Sequence, residues 1–291
     1  MKRIIILLLS CLMLHPTCFA ASTINPTNNF AYGANIGWMD WRGDAGTNGV
    51  VIGEFVVSGH IYAANVGWIS LGSGSPTNGI QYTNNSVNDF GVNHLGDGRL
   101  RGYAWGANIG WVNFEPTGDP RINLLTGNFS GYAYSANCGW ISLSNAQAFV
   151  KTDFCVAGAD TDGDGIADAW ELPRAGNLTT LTGTGDADGD GVNDVDEYRA
   201  DTNPLDPSDQ LRITAINANE PGDTATLTWT SRPTRLYQVQ SRTDLVAGAW
   251  ATNSPPGLVS PDFGPTTMRS VPGAPTSQRF YRVQAIQPLK P

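Results

Sequence analysis

The chain has 291 residues and a formal net charge of −9, from 17 Lys and Arg against 26 Asp and Glu. That length allows two or three domains. No basic patch gathers cations to neutralise phosphates, which argues against a nucleic-acid partner.

In chain order, the first twenty residues read as a secretory signal: Lys2-Arg3, an apolar run from Ile4 to Leu14, then Cys18-Phe19-Ala20. The run is too short to span a bilayer, and no later segment is apolar enough to do so. A soluble, secreted chain is therefore expected, either extracellular or held in a periplasm or at a cell surface. Loss of Lys2 and Arg3 would leave it at about −11. Only Cys138 and Cys155 would survive cleavage. An even pair in an exported chain predicts one disulfide between them.

Residues 21–155 are expected to form an all-β repeat domain. One pattern occurs four times, as Tyr32-Gly33-Ala34-Asn35-Ile36-Gly37-Trp38, Tyr62 to Trp68, Trp105 to Trp111 and Tyr134 to Trp140. The tryptophans are spaced 30, 43 and 29 residues apart. Such self-similarity marks a stacked or duplicated architecture in which one unit cannot bury its apolar face alone. Each unit reads as strand, tight turn and strand, with Asn and Gly supplying the turn. Closed barrel, small propeller and solenoid all satisfy the pattern. Trp and Tyr faces can stack on sugars, which admits a carbohydrate-binding reading, but large aromatics dominate core burial, so Trp38, Trp68, Trp111 and Trp140 are expected inside. Trp41 and the segment from Gln81 to His94 fall outside the repeat and are candidate places for a specific site. The pattern resembles the Gly-Tyr-Ala-Trp…Ile-Gly-Trp-Ile repeats of secreted prokaryotic surface proteins, a resemblance that carries no activity with it.

Residues 156–209 hold 14 of the 26 acidic residues. Two twelve-residue runs, Asp160 to Glu171 and Asp186 to Glu197, place carboxylates at positions 1, 3, 5, 9 and 12 and glycine at position 6. That spacing wraps a loop around a hard cation that takes six to eight oxygens. The expected ligands are Asp160, Asp162, Asp164, the Ile166 carbonyl, Asp168 (directly or through water) and Glu171. In the second loop they are Asp186, Asp188, Asp190, the Val192 carbonyl, Asp194 and Glu197. Two Ca²⁺ ions are expected, because Mg²⁺ keeps its waters rather than enter an all-protein cage. Short helices should leave the loops, Ala167 to Leu172 stopped by Pro173, and Asp194 to Ala200. The loops resemble EF-hand loops, and more closely the calcium repeats of thrombospondin type 3 and dockerin modules. No helix leads into either loop, so a structural rather than a sensing role is expected.

Residues 210–291 alternate with period two, as in Ala225, Leu227 and Trp229 and again in Tyr237 and Val239, which predicts a β-sandwich. Tyr237 to Ser241, with Asp244-Leu245 and Trp250, resembles fibronectin type III-like tail modules of secreted bacterial proteins. Trp229, Trp250 and Tyr281 are expected in its core. The fold class is thus mainly β, with a small helical calcium segment between two β-modules.

No His-Glu-x-x-His helix, Gly-x-Ser-x-Gly elbow or phosphate-cradling loop occurs. A non-catalytic binding or surface-interaction protein is therefore expected, with a polysaccharide or a cell-surface protein as partner. The alternative is an extracellular carbohydrate-active enzyme using Glu54 or Glu115, the only glutamates in the repeat region.

Overall fold

The structure, a computed structural model, describes residues 22–43, 48–218, 224–253, 256–272 and 278–291. The expected signal segment lies outside the described residues. The four repeats fold as four hairpins: Ile24–Gly33 with Gly37–Asp40, His60–Ala63 with Gly67–Ser70, Leu100–Gly106 with Gly110–Phe114, and Tyr132–Ser135 with Gly139–Ser142. Each hairpin pairs antiparallel with the next, and Tyr32↔Ser142 and Gly33↔Ile141 join the last to the first. The result is a closed eight-stranded barrel, which leaves no free edge among these strands.

Turn chemistry explains the hairpins. Ile36 N donates to Gly33 O, and the same bond recurs at Val66, Ile109 and Cys138, at 3.1–3.2 Å. Gly37, Gly67, Gly110 and Gly139 then follow with φ of +80°, +79°, +72° and +78°. This is the three-residue loop closed by a left-handed glycine. The asparagines expected to share the positive φ do not take it. They lace the barrel end instead. Asn35 Nδ2 donates to Cys138 O, Asn65 to Ile36 O, Asn108 to Val66 O and Asn137 to Ile109 O, at 3.0–3.1 Å. Each turn holds its neighbour, and the cycle of four bonds closes on itself.

Inside the barrel, Ala31, Met39, Ile61, Ile69, Ala104, Val112, Ala133 and Ile141 are buried. Between these residues other than Ala31, with Trp41, Phe114 and Leu143, a void of only about 10 Å³ remains, about one water and no lumen for a ligand. Turn residues plug one end, and their sizes are matched. Ile36 and Ile109 sit over Gly33 and Gly106, where an added Cβ would come within 2.7 and 2.9 Å of the isoleucine. In the second and fourth turns the smaller Val66 and Cys138 stand at the same positions, their N–H groups bonded to Ala63 O and Ser135 O.

The repeat tryptophans are not core residues, contrary to expectation. Trp38, Trp68, Trp111 and Trp140 point outward and are 46%, 38%, 42% and 43% exposed. The barrel radius has room for Ile, Met, Val and Ala, and alternation sends the larger rings to the outer face. Trp41 is the buried one, against Phe114 and Phe129 at 6.4 and 5.2 Å between ring centres. The segment from Gln81 to His94 is closed on itself by hydrogen bonds. Asp89 accepts from Thr77 N, Thr83 N and the Thr83 hydroxyl, and those bonds hold its carboxyl down at about 2.

The expected disulfide is also corrected. Cys138 and Cys155 are both free and buried. Cys138 takes the isoleucine slot in the fourth turn, near the Gly33 end of the first strand. Cys155 lies three residues beyond Thr152, which pairs with Ile24 at the opposite end of that strand. Nine residues of strand separate the two ends by roughly 30 Å, whereas disulfide Cα atoms lie within about 7 Å.

The C-terminal strands form two sheets. Thr224–Thr230 lies between Ile213–Ala218 and Thr266–Pro272, while Leu236–Arg242 pairs with Ala251–Thr252, Leu258–Val259 and Phe280–Ile286. Ala225, Leu227, Trp229, Tyr237 and Val239 are buried together, with Tyr281 packed against them. Trp250 is not in that core. It lies half-buried between the guanidiniums of Arg242 and Arg282, 4.7 and 4.6 Å from its ring, a cation–π arrangement. The tail returns to the barrel, where Cys155 N donates to Leu289 O at 2.7 Å.

Candidate metal centre

Two loops, each followed by a short helix, connect barrel and sandwich. Helix α1 runs Asp168–Ala175 and α2 runs Asp194–Ala200. Pro173 does not stop α1. It removes one rung only, and Gly176 N closes the end on Leu172 O while Arg174 Nη1 covers the Trp170 carbonyl at 2.9 Å. The helix α2 ends where expected, at Asp201 with φ +58°.

The two loops have one construction. Asp160 Oδ1 accepts from Gly163 N and Asp164 N, and its Oδ2 from Gly165 N. Asp186 does the same with Gly189, Asp190 and Gly191. Asp164 accepts from Ile166 N and Asp190 from Val192 N. Gly165 and Gly191 take φ of +94° and +93°, where a Cβ would be strained. Carboxylate oxygens of Asp160, Asp162 and Asp164 lie within 4.8 Å of one another, as do those of Asp186, Asp188 and Asp190.

The position 9 carboxylates face another way. Asp168 accepts from Thr161 N and the Thr161 hydroxyl. Asp194 accepts from Thr182 N and Ala187 N. Both are buried and brace the loop backbone rather than join the triads. At position 12, Glu171 is fully buried, and neither of its oxygens meets a hydrogen-bond donor among the described residues. Glu197 Oε2, Asp164 Oδ2 and Asp188 Oδ2 are orphaned in the same way. Burial, with Asp164 and Asp162 next in effect, pushes Glu171 up to about 7. Burial likewise pushes Glu197 up to about 7, against the Thr202 hydroxyl bond that lowers it. Buried carboxylates without donors are costly unless a cation compensates them, so this donor set of hard oxygens suits a divalent ion.

Residues 160–172 and 186–207 match the family model described as Bacterial TSP3 repeat. This calcium-binding type of repeat thus covers both Asp triads. No curated protein and no solved structure matches the chain.

The TSP3 segment is packed at both ends. Phe55, from the barrel, lies against its core of Ile166, Trp170, Leu181 and Tyr198. Tyr198 Oη donates to Glu54 Oε2. On the sandwich side, Asp201 accepts from Trp170 Nε1, Arg174 Nη2 and the Thr234 hydroxyl. Arg235 donates to Tyr198 O and Arg199 O at 2.6 and 2.8 Å, and Arg232 pairs with Asp209. A cleft of about 540 Å³ lies at this three-way junction, lined by Glu54, His94, Cys155, Trp170, Arg174 and Arg235 among others.

Glu54 and Glu115, the carboxylates of the enzymatic alternative, each accept a side-chain hydrogen bond. Glu54 holds the Tyr198 hydroxyl, while Glu115 accepts from Asn113 Nδ2 at 3.1 Å. His94 Nδ1 rests on Gly53 O at 3.0 Å, and burial lowers its basicity. Burial, then the nearby Glu54 charge, pushes the Cys155 thiol up to about 12, leaving almost no thiolate to act as nucleophile.

Proposed function

We propose that this is an exported, non-catalytic binding or surface-interaction protein, in which two calcium ions rigidify the joint between a β-barrel and a β-sandwich. Asp160, Asp162, Asp164, the Ile166 carbonyl and Glu171 hold the first ion. Asp186, Asp188, Asp190, the Val192 carbonyl and Glu197 hold the second. Asp168 and Asp194 fix the loop shape around them.

The observation that carries this reading is Glu171, a fully buried carboxylate whose two oxygens meet no donor among the described residues, beside a triad of aspartates. Helices of eight and seven residues have little surface to expose on opening, which favours structure over switching. Export rests on the signal pattern of residues 1–20 and on millimolar extracellular calcium, which keeps loops of modest affinity filled. Among the described residues no helix is long and apolar enough to cross a membrane.

Calorimetric titration with Ca²⁺ tests the reading. About two equivalents are expected for the native chain, and about one for Glu171→Gln, because the hydrogen bonds that shape the second loop run within residues 182–194. No binding heat at millimolar Ca²⁺ contradicts it.

A further inference from the structure

Four groups of aromatic side chains stand on the outer wall of the barrel, one per hairpin. Their geometry repeats closely. Tyr32–Trp38, Tyr62–Trp68, Trp105–Trp111 and Tyr134–Trp140 have ring centres 4.8, 4.9, 4.7 and 4.9 Å apart, at interplanar angles of 58°, 55°, 61° and 58°. A third ring flanks each tryptophan edge-on at 6.0–6.3 Å: Phe30, His60, Tyr103 and Tyr132 in turn. Cross-strand aromatic pairs stabilise a hairpin, yet each tryptophan still leaves about two-fifths of its surface to solvent. Four such patches, one on each hairpin around the closed barrel, mark an interaction surface that more than one ligand chain can reach.

The chemistry around the rings narrows the partner. Two residues past each tryptophan, on the same outward face, stand Asp40, Ser70, Asn113 and Ser142. Each is paired across to the first ring of the next hairpin: Asp40↔Tyr62, Ser70↔Trp105, Asn113↔Tyr134 and Tyr32↔Ser142. Every ring pair is thus bordered by a hydroxyl, amide or carboxylate, and none of these four positions is cationic. The turns beyond them carry exposed Ala-Asn. Flat apolar rings beside oxygen-rich polar groups match the alternating C–H faces and hydroxyl edges of a pyranose. The four-residue strands that make up most of the wall are too short for a transmembrane barrel, which needs about 9–11 residues per strand. With no cation at these positions, anionic lipid or nucleic acid has nothing to meet.

We infer that the four outward aromatic groups are four near-equivalent platforms for an uncharged polysaccharide, engaged together along or between chains. This names the partner of the non-catalytic binding reading above and does not depend on the calcium joint. Linked weak sites gain avidity of about 10²–10⁴ over one site. One stacked ring is worth about 0.5–1.5 kcal/mol, which is roughly a two- to tenfold change in affinity.

The test uses the mature chain in native gels cast with hydroxyethylcellulose, konjac glucomannan or laminarin, in 0.5 M NaCl. Retardation by at least one of the three is expected. Trp38→Ala, Trp68→Ala, Trp111→Ala and Trp140→Ala should each weaken it by roughly two- to tenfold, and the quadruple variant should abolish it. In case a variant misfolds, indole N–H resonances of the native chain are followed while a hexasaccharide of the binding glycan is added. All five outward indoles, Trp105 with the four repeat tryptophans, should shift, and the buried Trp41 and Trp229 should not. A chelator should leave retardation in place. No retardation in any gel overturns the platforms while leaving the calcium joint standing, as does indole shift confined to Trp41 or Trp229. Binding to phosphatidylcholine vesicles in place of the glycans, or self-association that the quadruple variant abolishes, assigns the rings to another partner and overturns the inference. Release of reducing sugar overturns the non-catalytic reading itself.

Discussion

Tyr198 in α2 donates its hydroxyl to Glu54 of the barrel at 2.8 Å, across 144 residues of chain. The tyrosine is buried, and its ring packs on Trp170 at 5.3 Å, inside the small core of the calcium segment. One side chain therefore ties that core to the barrel. A hydrogen bond to a charged group contributes about 1.5–3 kcal/mol, and the partial exposure of Glu54 brings the expectation to the low end. Tyr198→Phe should loosen residues 158–209 by about 1–2 kcal/mol, read as faster local hydrogen exchange there. The barrel should melt at an unchanged temperature.

Volume matching at the barrel end can be tested by compensation. Gly33→Ala pushes a methyl to 2.7 Å from Ile36 Cγ1, and overpacking of this kind costs about 1–3 kcal/mol. Ile36→Val should recover part of that loss, because it removes Cδ1, 3.3 Å from the same methyl, and because Ala63 and Val66 already coexist in the second hairpin. Denaturant midpoints of the two single variants and the double variant give the coupling. Additive losses contradict the matching.

Calcium binding should be linked to protons. Glu171 and Glu197 rise from an ordinary 4.5 to about 7 without metal. A carboxyl raised in the folded state keeps its proton more tightly folded than unfolded. Its contribution is therefore full below pH 4.5 and is lost as pH climbs through 7. In chelator the segment should be firmer at pH 5 than at pH 8. With calcium the order reverses, because the ion binds the ionised form. Calorimetry at pH 7 in two buffers of different ionisation heat should show about one proton released per chain as both loops fill. Zero release at pH 6 contradicts the linkage.

The free thiols give a chemical check. A thiol reagent should label neither Cys138 nor Cys155 in the native chain, since both are buried. In denaturant without reductant it should label two in a chain that lacks residues 1–20. No labelling in denaturant would restore the disulfide.

The acidic loops are legible in the sequence because every expected ligand position is local: twelve residues carry the whole pattern, and glycine at position 6 fixes the bend. What local spacing did not reveal is that Asp168 and Asp194 turn back onto their own loop, since that depends on Thr161 and on Thr182 and Ala187. The tryptophans differ from expectation for another reason. Period-two alternation separates two faces of a strand but does not say which one is inside. The telling signal was the opposite face, where Ala31 and Met39, Ile61 and Ile69, Ala104 and Val112, and Ala133 and Ile141 recur as pairs that fill a narrow barrel. Alignment of the turns also bears on the disulfide. Cys138 stands where the other repeats have Ile36, Val66 and Ile109, a slot for a small buried plug. The contact of Tyr198 with Glu54 links two distant segments, and no pattern within either one encodes it.

The most direct measurement of the calcium joint is hydrogen exchange of the full mature chain with millimolar Ca²⁺ and with chelator. Slow exchange across 158–209 is expected with calcium, and exchange at least tenfold faster there in chelator, with barrel and sandwich strands unchanged. Equal protection of that segment in both conditions would contradict the account.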